Sequence, residues 1–173
     1  DGCAECLVQS QESIYKFENK IRPSEAGFLE PLATVINGIK KLDIKKGETV
    51  VVIGGGTMGV LNALVAKQKG ARVIVSELME KKIRVAEQLG LEVIDGSKVD
   101  PVEEVRARTD GRGADTVILA VAATAANKQG FAMLKKLHGK VLMFAAGYPA
   151  PELGVDANKI HYGKMQIFGT FLG

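Results

Sequence analysis

The chain has 173 residues, 46% hydrophobic and 25% charged, with a net charge of +3 from 23 basic and 20 acidic side chains. That composition fits one ordinary globular domain and excludes disorder and fibrous repeats, and no apolar run reaches the ~18–20 residues of a membrane span. Weak charge, scattered basic residues, 5% aromatics and no Trp argue against a nucleic-acid-binding platform.

Residues 1–28 differ from the remainder. Ala4–Val8 and Ile14–Phe17 read as short strands, and Asn19–Ala26 is polar, with no core large enough to stand alone. We read this part as the tail of a neighbouring unit and residues 29–173 as the domain proper. The start at Asp1 rather than Met is read as an excised piece of a longer chain. No basic start followed by an apolar stretch marks a signal peptide, and a reducing cytoplasm is the expected setting.

Pro31 opens a helix in which Leu32, Val35, Ile36, Ile39 and Leu42 form one apolar stripe at spacings of three and four. From Thr49 the pattern becomes strand, turn, helix, repeated. Val50–Ile53 is a continuous β-branched run, the mark of a strand buried on both faces. Leu61, Leu64 and Val65 follow at helical spacing, and Gly70 ends that helix. Val73–Val75 is the second strand, Ile83, Ala86 and Leu89 mark a helix closed by Gly90, and Val93–Ile94 is the third strand. Asp100, Pro101 and Glu103 start a helix running to Thr109. Thr116–Val121 is the fourth strand, Thr124 caps a helix carrying Phe131 and Leu134, and Val141–Phe144 is the fifth strand. A loop from Gly147 to Asp156 precedes a sixth strand within Lys164–Phe171. Alternation with short links predicts a doubly wound α/β fold, a six-stranded parallel sheet with helices on both faces.

Gly54, Gly56 and Gly59 make a G-x-G-x-x-G turn directly after a buried strand and at the opening of a helix. The first glycine permits the tight turn, the second lets backbone approach a pyrophosphate, and the third lets helix and strand pack closely. The helix N-terminus presents unpaired N–H groups to phosphate, and Thr57 adds a hydroxyl donor. Glu77 ends the second strand about 20 residues later, where a carboxylate accepts from both ribose hydroxyls of adenosine and repels a 2′-phosphate. That pattern predicts a Rossmann dinucleotide domain and favours NAD. Lys81, Lys82 and Arg84 close downstream read as a solvated helix face, some of which a 2′-phosphate could use instead. S-adenosylmethionine is a rival ligand, but the acidic residue expected ahead of the first glycine is missing from Val50–Ile53.

The chain resembles the cofactor domain of the medium-chain, zinc-containing alcohol dehydrogenases, and most of all the sorbitol (iditol, polyol) dehydrogenase-like branch. The resemblance runs from Gly2-Cys3-Ala4-Glu5-Cys6 and Ile14-Tyr15-Lys16 through Glu30-Pro31-Leu32-Ala33, the Gly54–Gly59 turn and Gly113-Ala114-Asp115. It ends in Ile160-His161-Tyr162 and Ile167-Phe168-Gly169. It implies that residues 1–28 are the trailing part of a GroES-like catalytic domain, whose main zinc ligands lie upstream. It also implies that the parent oxidises an alcohol or polyol with a nicotinamide dinucleotide and zinc, this chain supplying the cofactor half only. Through the resemblance, Glu30 matches the carboxylate at or near the catalytic zinc, and Thr34 and Met58 match positions on the nicotinamide side. Glu77 and Lys82 match adenosine-ribose contacts, and Val121 and Phe144-Ala145-Ala146 match the backbone bracketing the nicotinamide. By the same resemblance Leu119, Ala122 and Ala145 stand where the family often has an acidic residue, Gly and Gly, and the methyl groups added at the glycine positions are expected to narrow that pocket. A homodimer through the last strand is a further implication. Two alternatives stay open: a zinc-free, NADPH-dependent quinone or enoyl reductase, and a nucleotide-binding module without chemistry.

Cys3 and Cys6 form C-x-x-C, but no second pair exists to complete a structural zinc site, so both are read as small apolar residues. His138 at a helix end and His161 in the loop before the last strand are read as structural.

Overall fold

The computed structural model describes residues 5–16 and 20–171. Six parallel strands make one sheet: β1 (Thr49–Ile53), β2 (Arg72–Glu77), β3 (Glu92–Asp95), β4 (Thr116–Leu119), β5 (Lys140–Met143) and β6 (Gln166–Gly169). Their order across the sheet is β3-β2-β1-β4-β5-β6. The chain winds outward from β1 to β3, returns to β4 beside β1, and winds out the other way to β6. The fold is therefore the doubly wound parallel arrangement that the alternating pattern predicts.

Every residue of β1 is buried, because the strand has a neighbour on each side and helices over each face. Its Val and Ile side chains each contribute roughly 1.5–3 kcal/mol by leaving water. On one face, Val50 and Val52 meet α2 (Leu29–Leu42) through Val35 and Ile39, α3 (Thr57–Gln68) through Val60 and Ala63, and α4 (Glu80–Gln88) through Ala86. On the other, Val51 and Ile53 join α5 (Pro101–Arg108) through Val105 and α6 (Thr124–Met133) through Phe131 and Met133. Strict alternation along β1 thus feeds two separate cores.

The remaining helices are short, α1 (Pro23–Ala26) and α7 (Ala157–Gly163). Asp100 caps α5 as expected, its side chain accepting from the Val102 and Glu103 N–H groups. Arg106 of α5 ties the far side together, its guanidinium donating to the carbonyls of Ala132 and Leu134 at 2.8 Å each, Arg112 at 3.2 Å and Gly111 at 3.3 Å.

Several expectations need correction. Neither Ala4–Val8 nor Ile14–Phe17 forms a strand among its described residues; a 3-10 turn at Gln11–Ser13 lies between them, and Cys6 is exposed rather than packed. None of their described residues pairs with the sheet, and β-propensity alone does not make a strand. Cys3 lies outside the described residues. Ala123, not Thr124, occupies the N-cap of α6, and the Thr124 hydroxyl instead accepts from the Glu152 N–H at 3.1 Å. His161 sits within α7, which the Asp156 side chain opens by accepting from Asn158 N–H, and not in a loop. His138 lies five residues past the end of α6, at φ 58°. β4 stops at Leu119, so Val121 falls beyond the strand.

Candidate functional site

β1 and β4 lie side by side at the point where the winding direction reverses. Open α/β sheets bind ligands at such a switch point. The turn from β1 into α3 lies there. Gly54 adopts φ 104°, and a Cβ on it would stand 2.6 Å from Val121 Cγ1. Glycine is the residue that accepts both demands. A Cβ on Gly59 would stand 1.8 Å from the Gly54 carbonyl oxygen, so α3 crosses the turn at a distance only hydrogen permits. Gly56 is the N-cap of α3, at φ −70° and ψ 179°, and a Cβ on it would meet nothing within 4 Å. The space it faces is open, and the first N–H groups of α3 have no partners inside the helix. Thr57 begins α3 and is exposed, while Met58 is half-buried against the α2–α3 core.

Glu77 closes the other side of the turn. It is 8% exposed, yet its carboxylate is well satisfied. Oε2 accepts from the Gly55 N–H at 2.7 Å, and Oε1 from the Leu78 and Met79 N–H groups at 2.7 and 2.9 Å. Burial pushes this carboxyl up. The three backbone donors and the Lys82 cation together outweigh burial and hold it below its ordinary value, so it is ionised.

The structure brings Gly54, Gly56, Thr57, Gly59, Glu77 and Lys82 together around one crevice, with Val121 beyond β4. A cavity of about 640 Å³ begins at Gly55, Gly56 and Thr57 and runs between α3 and α4, with Lys81 and Lys82 at its side. Its apolar wall of Phe28, Leu61, Leu64, Met79, Val85 and Leu89 escapes sequence reasoning. Leu61, Leu64 and Leu89 read equally well as core residues, and nothing local shows that two helices leave a groove between them. Lys81, a solvated charge by sequence alone, joins that lining.

Ala145 lies after β5, and its N–H donates to the Leu119 carbonyl at 3.0 Å, which sets the β5 exit beside that of β4. Thr34 and Glu30 stand one turn apart on α2; the Thr34 hydroxyl donates to Glu30 Oε1 at 3.0 Å and to the Glu30 carbonyl at 3.2 Å. Glu30 is exposed. Among the described residues, no group of three or more His, Cys, Asp or Glu side chains is placed to hold a metal ion. A catalytic zinc takes three protein ligands, so Glu30 does not make a zinc site by itself. No helix among the described residues is long and apolar enough to cross a membrane.

Comparison with known proteins agrees with this geometry. The family pattern for zinc-binding dehydrogenases matches residues 57–173. A sorbitol dehydrogenase of Halalkalibacterium halodurans is 35% identical over 172 residues, covering 96% of this chain and 49% of its own length. An (R,R)-butanediol dehydrogenase of Neisseria gonorrhoeae is 33% identical over 129 residues, covering 73% of this chain and 36% of its own. Among solved structures, one from Sinorhizobium meliloti 1021 bound to NADP superposes with a TM-score of 0.85 at 28% identity, covering 92% of this chain and 47% of that one. This chain spans about half the length of these relatives.

Proposed function

The chain belongs to the zinc-binding dehydrogenase family, and from that premise we propose that it is the NAD-binding half of an alcohol or polyol dehydrogenase. The observation that carries this reading is the Gly55 N–H at 2.7 Å from the Glu77 carboxylate, at the exits of β1 and β2 and beside the β1–β4 boundary where the sheet reverses its winding. A diphosphate fits the open space at Gly56 and the first turn of α3, with Thr57 adding a hydroxyl. Glu77 accepts from the adenosine ribose, and Lys82 flanks it. Thr34, Met58, Val121 and Ala145 stand toward the nicotinamide. The dinucleotide, when bound, supplies the hydride acceptor. This chain's residues bind and orient it, and Val121 and Ala145 shield one side from water. Glu30 offers a single carboxylate toward a zinc whose other ligands lie outside the described residues.

Isothermal titration of the chain with NADH and NADPH tests the reading. NADH binds more tightly; tighter NADPH refutes the NAD assignment, and no heat with either refutes dinucleotide binding. One observation favours the second reading, NADP: Lys81 and Lys82 both line the cavity that starts at the glycine turn.

The proposal extends to assembly. β6 is an edge of the sheet, with Ile167 38% exposed on it and Phe171, two residues past its end, 85% exposed, and an apolar edge of this kind pairs with another chain. A homodimer through β6 is expected, and a monomer in sedimentation at micromolar concentration counts against it.

A further inference from the structure

We infer that Glu77 is a positioning residue as well as a ribose acceptor: its carboxylate braces the unliganded glycine turn by clamping the exit of β1 to the exit of β2.

The ladder between β1 and β2 shows how. The Gly54 N–H donates to the Ser76 carbonyl at 2.8 Å, as the next rung after the paired strands. One residue on, the backbone turns away toward α3. The Gly55 N–H finds its acceptor in the Glu77 side chain, at 2.7 Å. A side-chain oxygen therefore extends the ladder past the end of the sheet. The other oxygen binds Leu78 and Met79, so one buried carboxylate joins the two loops that form the crevice. Gly55 makes room for it: a Cβ there would stand 3.2 Å from both Cγ and Oε2 of Glu77. A carboxylate offers about four acceptor positions. Three are taken before any ligand arrives, which is more than a group reserved for sugar hydroxyls requires. An N–H placed against a carboxylate makes a short, charge-assisted bond, so the turn is held in the shape that the open side of Gly56 requires.

The isosteric variant Glu77→Gln separates the two roles. An amide has one acceptor oxygen, so it serves either Gly55 or the Leu78–Met79 pair, and sets an NH₂ against the other. Amide hydrogen exchange in the unliganded chain, followed by NMR, reads the brace directly. The wild-type Gly55, Leu78 and Met79 N–H groups are protected, and in Glu77→Gln those on the side the amide oxygen leaves, Gly55 or the Leu78–Met79 pair, exchange about tenfold to a hundredfold faster while the Val51 and Val52 amides keep their rates. This arm needs no ligand, and its wild-type half stands even where the variant fails to fold. The second arm rests on the dinucleotide reading and uses NAD with a 2′,3′-dideoxyadenosine moiety, which has no hydroxyl to give Glu77. Its affinity falls about fivefold or more in Glu77→Gln, because only the turn has changed. An unprotected wild-type Gly55, rates unchanged at Gly55, Leu78 and Met79 alike in the variant, or an unchanged or tighter affinity for the dideoxy ligand overturns the inference. A wild type that binds neither NADH nor NADPH overturns the proposed function instead and leaves the brace to be judged by exchange.

Discussion

Replacing Gly59 by alanine places a methyl carbon 1.8 Å from the Gly54 carbonyl oxygen and 2.9 Å from its carbon. Both atoms are backbone, so no rotamer change relieves the clash. Normal contact requires the turn and α3 to separate by about 1.5 Å. α3 packs its Val60, Ala63 and Ala66 into the core, so moving it disturbs that packing as well. Overpacking of this kind costs roughly 1–3 kcal/mol, and the backbone origin of the clash puts Gly59→Ala at the upper end. For a chain of this size the melting temperature falls by about 6–12 °C. Gly56→Ala is the contrasting variant. Its methyl meets nothing within 4 Å, and φ −70°, ψ 179° suits alanine. The small N-cap loss is offset by the lower entropy of the unfolded chain, so stability changes by less than about 0.5 kcal/mol. That methyl fills the space the diphosphate needs, so NADH affinity falls about tenfold or more. Thermal unfolding by circular dichroism and calorimetric titration of both variants are the assays. A Gly59→Ala chain melting within about 2 °C of wild type refutes the packing argument. A Gly56→Ala chain binding NADH as wild type does refutes the assignment of that space to the ligand.

Arg106→Ala removes donors to four carbonyls and destabilises the chain by about 2–4 kcal/mol in urea unfolding; Arg106→Lys does not restore it, because an ammonium cannot reach all four. A loss under about 0.5 kcal/mol in either variant contradicts this. The Glu77 and Asp115 carboxyls are depressed in the folded chain; for Asp115, burial opposes the shift, and Lys135 with the Thr49 N–H outweighs it. A depressed folded pKa contributes stability that is complete above the unfolded value of about 4 and is lost as pH falls through the folded value. Urea midpoints measured from pH 6 down to 3 therefore fall more steeply for wild type than for Glu77→Gln, and equal slopes contradict the assignment. The isolated 173 residues oxidise no polyol with NAD at a rate above background, and retain no zinc after dialysis by metal analysis. Turnover by this chain alone disproves the division of labour between two halves.

Much of the architecture is legible in the residues themselves. The run Val50–Ile53 identifies the central strand, since four consecutive β-branched residues make sense only with both faces covered. The glycine spacing and Glu77 mark one crevice from positions 22 residues apart, because strand, turn and helix have standard lengths and the β1–β2 register is local. Residues 5–16 mislead, since β-propensity makes a strand only through pairing, and none of them pairs with the sheet. α7 is hidden because seven residues carry little periodicity, and its start depends on the Asp156 side chain.

By itself, then, the amino-acid order determined the alternation of elements, the sheet's parallel character and the residues around the turn, all of which follow from short-range periods and steric rules. Only the tertiary structure decided the apolar groove between α3 and α4 and the engagement of Glu77 with three backbone amides. A groove is the space between two elements, and a hydrogen bond between loops depends on distances that no local pattern encodes.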